Sequence, residues 1–449
     1  MREILNDSAN RAIMYLESID DRKVAPDPQA VDKLKELDQP LGDGPTDPHE
    51  VLAILDRYIS PATLVTTGAR FFGYVIGGSY PVTVGANWMA AAWDQNTGLY
   101  EATPATAYIE EITLKWMIDL FDLPDVSGGT FVTGATVANL GGLAAGRHIV
   151  LERAGWDVEG DGLFGAPPIT VIIGAEAHPV LFKSLGLLGL GRNRVVCVPT
   201  DDQGRMRADQ LPPMSGPTLV CLQAGNLNTG AFDPFNEIIP QVHEAGGFVH
   251  VDGAFGLWAA VSPTYKYLTA GMNEADSLAT DAHKYLNVPY DSGLALVRHP
   301  EALRSAMAIT AEYLPTESTY RNPSDFTPEL SRRARGIEIW TALKFLGKDG
   351  LTRLVDDTCR HACRFAEGFS AAGYEILNDV VLNQVLVSFG EPEKTRQIIA
   401  DIQEDGTCWM GGTEWQGHTA MRISVSSWAT TDEDVEKSLD AILRIASKY

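Results

Sequence analysis

No stretch of this chain approaches 18 consecutive apolar residues without a charge, so neither a membrane-spanning helix nor a membrane partner is expected. The opening residues, MREILNDSANR, are too acidic and polar for a secretory leader. Cysteine is sparse. Cys197, Cys221, Cys359, Cys363 and Cys408 are odd in number and scattered, which speaks against a disulfide framework and for a reducing, cytoplasmic setting. Basic residues are in deficit, 35 Lys and Arg against 59 Asp and Glu, and the net charge of −24 disfavours a nucleic acid or an anionic surface as partner. The glycine fingerprints of nucleotide sites are missing too. There is no Walker lysine and no G-x-G-x-x-G, and GLLGLGRN at 186–193 is a poor imitation, so ATP and dinucleotide chemistry lose support. Metal-ligand spacing is confined to Cys359, His361 and Cys363, which suit one buried helix face better than a metal. No metal is expected.

What is there reads as an ordinary globular chain, 45% hydrophobic and 21% charged, and 449 residues exceed one small core. The expected division is a helical N-terminal segment (1–68), a large domain (69–340) and a small α+β domain (341–449). In the first segment HEVLAILDRYI sets Val51, Leu52, Ile54, Leu55 and Ile59 largely on one face, with too little apolar material around them for an independent core. It is expected to wrap over another surface. Phe71, Phe72, Tyr74, Tyr80, Trp88, Trp93 and Tyr100 then fall within 30 residues among glycines. Most of these rings suit packing; Tyr74 and Trp93 are the candidate pocket wall for an organic substrate.

From 169 onwards near-continuous apolar runs (ITVIIG, RVVCVP, PTLVCLQ, GFVHVD, DSLAT, GLALV) alternate with helical patterns such as PFNEIIPQVHEAG. Such runs imply an α/β fold with a mostly parallel sheet covered on both faces, and ligands at the carboxyl ends of its strands. At those ends stand His178, Asn226 to Thr229, Asp252 to Ala254, and His283-Lys284. Upstream, GGTFVTGATVANL reads as a glycine turn feeding a helix from about Ala135, whose free N–H groups suit a phosphate, with the Thr133 and Thr136 hydroxyls nearby. Singly, Asp252 reads as a turn cap, His178 as a satisfied loop residue, Asn226 as an Asx turn and Lys284 as an exposed turn lysine. Together they describe a coenzyme with a phosphate, a basic ring nitrogen and an aldehyde: pyridoxal 5′-phosphate.

The blocks ARFFGY, GATVANL, AEAH, AGNLNTGAFD, HVDGAFG and DAHKYLNVPYDSG, in this order and spacing, resemble the group II pyridoxal-phosphate decarboxylases, the aromatic-amino-acid and glutamate type with the type I fold. HVDGA followed some 30 residues later by HK is the specific pair, and the likeness runs from about Arg70 to the C-terminus. The resemblance implies that Lys284 carries the coenzyme covalently, Asp252 faces its ring nitrogen, and His178 and Ala254 pack its two faces. Ala135, Thr136 and His283 match positions near the phosphate, and Asn226 and Thr229 lie in a loop near the coenzyme. Arg422, in TAMRISVSSW, matches a carboxylate-binding arginine. The family's mobile-loop tyrosine has no counterpart at its usual spacing, where Asn322-Pro323 stands; Tyr320 is the nearest candidate, with Tyr313 and His178 as alternatives for the proton. An AYFPT-like pocket stretch of the aromatic branch reads Tyr74-Val75-Ile76-Gly77-Gly78 here.

The expected function is therefore α-decarboxylation of an amino acid, tilted towards an aromatic or bulky apolar one by the ring-rich stretch. The resemblance also implies a homodimer with interface sites and the 311–330 loop reaching across. Rival outcomes on the same coenzyme are oxidative deamination to an aldehyde, transamination and Cα–Cβ cleavage. A non-catalytic coenzyme-binding regulator is the more distant alternative.

Overall fold

A computed structural model describes residues 1–309 and 320–449. Seven strands, β1 (Gly128–Val132), β2 (Thr170–Gly174), β3 (Val196–Val198), β4 (Thr218–Gln223), β5 (Phe248–Asp252), β6 (Ser277–Asp281) and β7 (Gly293–Val297), form one sheet in the order β1-β7-β6-β5-β4-β2-β3. Pairs among β2 to β6 are parallel, and β7 alone runs antiparallel to both its neighbours. The expected mostly parallel α/β sheet is what forms.

Successive residues of the buried strands feed two separate cores, as a two-residue period requires. Ile172, Val220 and Val251 pack with Leu114, Met117, Ile238 and Ile339 on one face. Val171, Ile173, Leu219 and Phe248 pack with Leu143, Ile149, Leu181 and Leu303 on the other. Helices thus cover both sides, and the polar strand ends are left for function.

GGTFV, read above as part of a glycine turn, is instead β1. Its glycines serve close strand approach, since a Cβ on Gly129 would lie 2.2 Å from the Ala295 carbonyl oxygen. The turn itself is only Thr133-Gly134, before the helix Ala135–Arg153.

A second, antiparallel sheet of β8 (Glu375–Ile376), β9 (Gln384–Ser388), β10 (Gly411–Trp415) and β11 (His418–Ser424) has the order β10-β11-β9-β8. Three of these match the strands expected around YEIL, QVLVSF and AMRISV; β10, polar and glycine-led, was not anticipated. The long helical stretch Gly336–Ala371, kinked at Gly347, contributes Ile339, Leu343 and Leu351 to the core of the first sheet and Ala362, Phe365 and Phe369 to that of the second. It passes straight through residue 340. The C-terminal helix Asp432–Ala446 begins with a capping box between Thr431 and Asp434.

At the other end of the chain, helices Arg2–Glu17, Pro28–Lys33 and Pro48–Tyr58 bury no residue within the chain, and Leu5, Met14, Val51, Leu55 and Ile59 are exposed. Among the described residues no helix is long and apolar enough to cross a membrane.

Residues 331–335 read as the start of the long helix, yet the helix begins only at Gly336. The cause is Arg332. Its guanidinium is fully buried, donates from Nη1 to both carboxylate oxygens of Glu110 at 2.8 Å, and from Nη2 to the Phe131 carbonyl at 2.7 Å. Removing one partner of a buried pair strands the other, so Glu110→Ala should cost about 3 kcal/mol or more of stability. Urea unfolding of the purified variant measures it, and a companion Arg332→Met change should recover much of the loss.

Candidate active site

The carboxyl ends of β1, β2, β4, β5 and β6 open on a cavity of about 470 Å³. Tyr74, Thr136, His178, Asp252, Lys284 and Arg422 all line it.

Asp252 is the last residue of β5 and is 4% exposed. A carboxylate so placed needs donors. Oδ1 accepts from the Ala254 N–H at 3.2 Å and Oδ2 from Asn139 Nδ2 at 3.1 Å. Ala254 also lines the cavity.

Lys284 follows β6 by three residues, and its Nζ lies 2.9 Å from Asp281 Oδ2. The half-buried lysine therefore has a partner that the sequence reading did not assign. Asp281 Oδ1 in turn accepts the Ala135 N–H at 2.6 Å, at the N-terminus of a 19-residue helix, where a negative group is favoured. The Lys284 backbone is held from above: a Cβ at Gly77 would sit 2.3 Å from its carbonyl oxygen, so only glycine fits there.

His178 is the N-cap of the helix Pro179–Leu187, and its Nδ1 accepts from the Val180 N–H at 3.2 Å. In the neutral ring the proton is therefore on Nε2. Burial lowers its pKa below the ordinary value; Asp252 opposes this, while Lys284 and Arg422 reinforce it. His283 lies 3.5 Å from Asp281, accepts from the Ser292 N–H through Nδ1 at 3.1 Å, and stacks on Tyr290 at 4.2 Å. Burial lowers its pKa as well.

Arg422 projects from β11 of the second sheet. Its Nη1 donates to the Leu227 carbonyl at 3.2 Å, and burial lowers its pKa, with Tyr74 close enough to oppose the shift.

The sequence-derived residues divide accordingly. Lys284, Asp252, His178, Ala135, Thr136, Ala254, His283, Tyr74 and Arg422 come together around one cavity. Asn226 and Thr229 lie behind its wall: Asn226 Oδ1 caps the Asn228 and Thr229 N–H groups in an Asx turn, Thr229 Oγ1 donates to the Gln203 carbonyl, and Leu227 from the same loop lines the cavity. Trp93, half-exposed at the end of the helix Pro81–Trp93, is not on the lining. Nor is Tyr320, which stacks on Tyr100 with ring centres 4.0 Å apart. Tyr313 lies outside the described residues. Sequence reasoning missed Asp281 and Asn139. Each carried a signal: Asp281 ends β6 three residues before Lys284, and Asn139 stands one helical turn after Ala135.

The pyridoxal-dependent decarboxylase conserved domain matches residues 32–390. The chain belongs to that family. It is a pyridoxal-phosphate-dependent amino-acid decarboxylase, a carboxy-lyase, and the donor set fits the coenzyme: an amine for the carbonyl, a buried carboxylate for the ring nitrogen, and a helix N-terminus for the phosphate. Among known relatives, the decarboxylase is 24% identical over 438 residues to the aromatic-L-amino-acid decarboxylase of Bacillus atrophaeus, covering 92% of this chain and 88% of that protein. It is 28% identical to the human acidic amino acid decarboxylase over 72% of this chain and 64% of that protein. In three dimensions it resembles Oryza sativa TDC, solved with PLP and tryptamine, at a TM-score of 0.92 and 19% identity, covering all of this chain and 97% of that one. Mouse CSAD gives 0.90 at 21% identity, with 100% and 99% covered. The fold is the type I fold of these enzymes.

The lowered pKa of His178 has a testable sign. Folding resists a proton that the unfolded chain accepts, so the stabilisation is complete above about pH 6.5 and is lost as the pH falls towards the depressed value. Between pH 7.5 and 5.5 the wild type should lose more stability than His178→Gln, by at most about 1.4 kcal/mol per pH unit. Urea midpoints of the two proteins at both pH values check this.

Proposed function

We propose that the decarboxylase removes the α-carboxylate of an amino acid in the cavity between β5, β6 and β11, and that Lys284 holds the coenzyme there. The observation carrying this reading is the meeting of Lys284, Asp252 and His178 with a helix N-terminus at a single rim. When bound, the coenzyme supplies a carbonyl for the substrate amine and a cationic ring that accepts the electron pair left when CO2 departs. Asp252 keeps the ring nitrogen protonated by opposing loss of its proton. His178, with Nδ1 held by the Val180 N–H, and Ala254 would flank the ring within the cavity. Thr136 and the first turn of the helix Ala135–Arg153 would serve the phosphate, with His283 beside them and the Ala135 N–H held by Asp281.

The side chain taken is a separate matter. Of the seven aromatic residues behind the earlier tilt, only Tyr74 lines the cavity; Tyr80 stacks on Trp428 and Tyr100 on Tyr320. That weakens the case from the ring-rich stretch. Arg422 supports a different class: a half-buried guanidinium with one backbone acceptor is suited to a carboxylate. Gripping the departing α-carboxylate would stabilise charge that must leave, which does not lower the barrier. We therefore assign Arg422 to a second, side-chain carboxylate, and the substrate to the acidic amino acids. The aromatic or bulky apolar class remains the second reading, favoured by Tyr74, Val75, Leu227 and Phe255 on the same walls.

The exposed apolar side chains of the N-terminal helices, together with Val82, Trp88, Met89 and Trp93, support a homodimer with sites at the interface; of the loop expected to reach across, residues 310–319 lie outside the described residues and Tyr320 stacks on Tyr100. A strictly monomeric protein at full activity, seen by light scattering, contradicts that arrangement.

The deciding experiment is a product-resolved amino-acid screen on the coenzyme-loaded protein, following CO2, amine, aldehyde, ammonia and peroxide. Acidic substrates should release CO2 and yield amine, with Arg422→Gln losing at least tenfold in kcat/KM on these and little on aromatic ones. Lys284→Ala should lose the visible absorbance band and turnover, and Asp252→Ala should fold normally without turnover. Aldehyde with peroxide in place of amine would transfer the protein to the oxidative class.

A further inference from the structure

Behind Asp252 lies a polar chain that touches neither the cavity nor solvent. His250 stands two residues earlier on β5, on the same side of the strand, and is completely buried, as are Asn139 and Ser277. His250 Nε2 is 2.7 Å from Asn139 Oδ1 and Nδ1 is 2.8 Å from Ser277 Oγ. Such groups are costly inside a core unless each finds a partner, and replacing them with apolar side chains would fill the same space more simply.

The direction of every hydrogen bond follows from one end. A carboxylate only accepts, so the Asn139 group facing Asp252 is its NH2, at 3.1 Å. Asn139 Oδ1 is then left to accept, and His250 Nε2 must carry the proton. Nδ1 is then the bare nitrogen, which takes the Ser277 hydroxyl proton. Burial pushes the His250 pKa down to about 3, so the ring is neutral in this tautomer. The helix Ala135–Arg153 is shaped around it: a Cβ on Gly142 would lie 2.7 Å from His250 Nδ1 and 3.0 Å from Ser277 Oγ. The helix thus gives its N-terminus to one end of the coenzyme site, Asn139 to Asp252, and a gap at Gly142 to the imidazole.

We propose that Ser277, His250 and Asn139 form a one-way donor relay that ends on Asp252 and fixes both the direction of its carboxylate and its role as acceptor. They are positioning residues. Asn139 acts on Asp252 directly; His250 acts by preventing the Asn139 amide from turning its oxygen towards the carboxylate, and Ser277 by selecting the tautomer. The inference rests on the reading of Asp252 as the partner of the coenzyme's ring nitrogen.

The test uses the full-length protein loaded with pyridoxal phosphate labelled with 15N in the ring, and reads the ring-nitrogen resonance and the coenzyme dissociation constant. A wild type whose resonance is that of a neutral pyridine overturns the reading of Asp252 itself. With a pyridinium resonance in the wild type, Asn139→Ala should move it towards neutral pyridine and weaken coenzyme binding about tenfold. His250→Phe, which keeps a ring in the space, should shift both in the same direction by less, and should change nothing further in the Asn139→Ala background, because one relay is already broken. Ser277→Ala, which deletes one hydroxyl and leaves the packing, gives the smallest shift of the same sign. A role confined to packing would lower the melting temperature and leave the resonance in place. Folded Asn139→Ala or Ser277→Ala protein with wild-type resonance and affinity overturns the relay, as does a His250→Phe effect undiminished in the double variant.

Discussion

A carboxylate buried at the end of a central strand constrains everything around it in this decarboxylase. Asp252 cannot sit in the sheet's interior without hydrogen-bond donors, and the sheet has none to spare, because strand amides are committed to their neighbours. The donors come from the turn after β5, through the Ala254 N–H, and from the facing helix, through Asn139. That requirement brings the helix Ala135–Arg153 onto this part of the sheet and leaves no freedom over which residue its second turn presents.

The same helix sets the electrostatics of the other end. Its first N–H binds Asp281, which also pairs with Lys284 and lies near His283. One acid thus joins the helix terminus to the amine of Lys284. The cavity is closed by a part of the chain distant in sequence: β11 of the second sheet carries Arg422, and the strand-like contacts of Phe71 and Phe72 with Trp409 bind the Tyr74 segment to that sheet. Gly73 permits this, since any Cβ there would collide with the Trp409 ring.

Much of this was legible in advance, for identifiable reasons. The buried strands β2 and β4 to β7 have uninterrupted apolar runs bounded by turn residues, and the chemistry-bearing residues fall where the runs stop. Legibility failed where a residue's meaning depended on a distant partner. GGTFV looked like a turn because its glycines answer to Ala295 and Pro300, more than 160 residues away. Arg332 looked helical because Glu110, which draws it inward, lies far back in the chain. Asn226 and Thr229 looked like site residues because they share a loop with Leu227, and only packing shows which side chain faces inward.

Local pattern by itself determined the α/β class, the mostly parallel strands and the standing of Lys284, Asp252 and His178 at strand ends, because burial period and strand ends are properties of short segments. The tertiary structure alone decided which donors hold Asp252, that Asp281 pairs with Lys284, which aromatic rings reach the cavity, and that a guanidinium from another sheet stands over it. Each of these is a meeting of side chains separated by tens to hundreds of residues, and nothing in the spacing of a linear chain encodes the angle at which two packed layers present them.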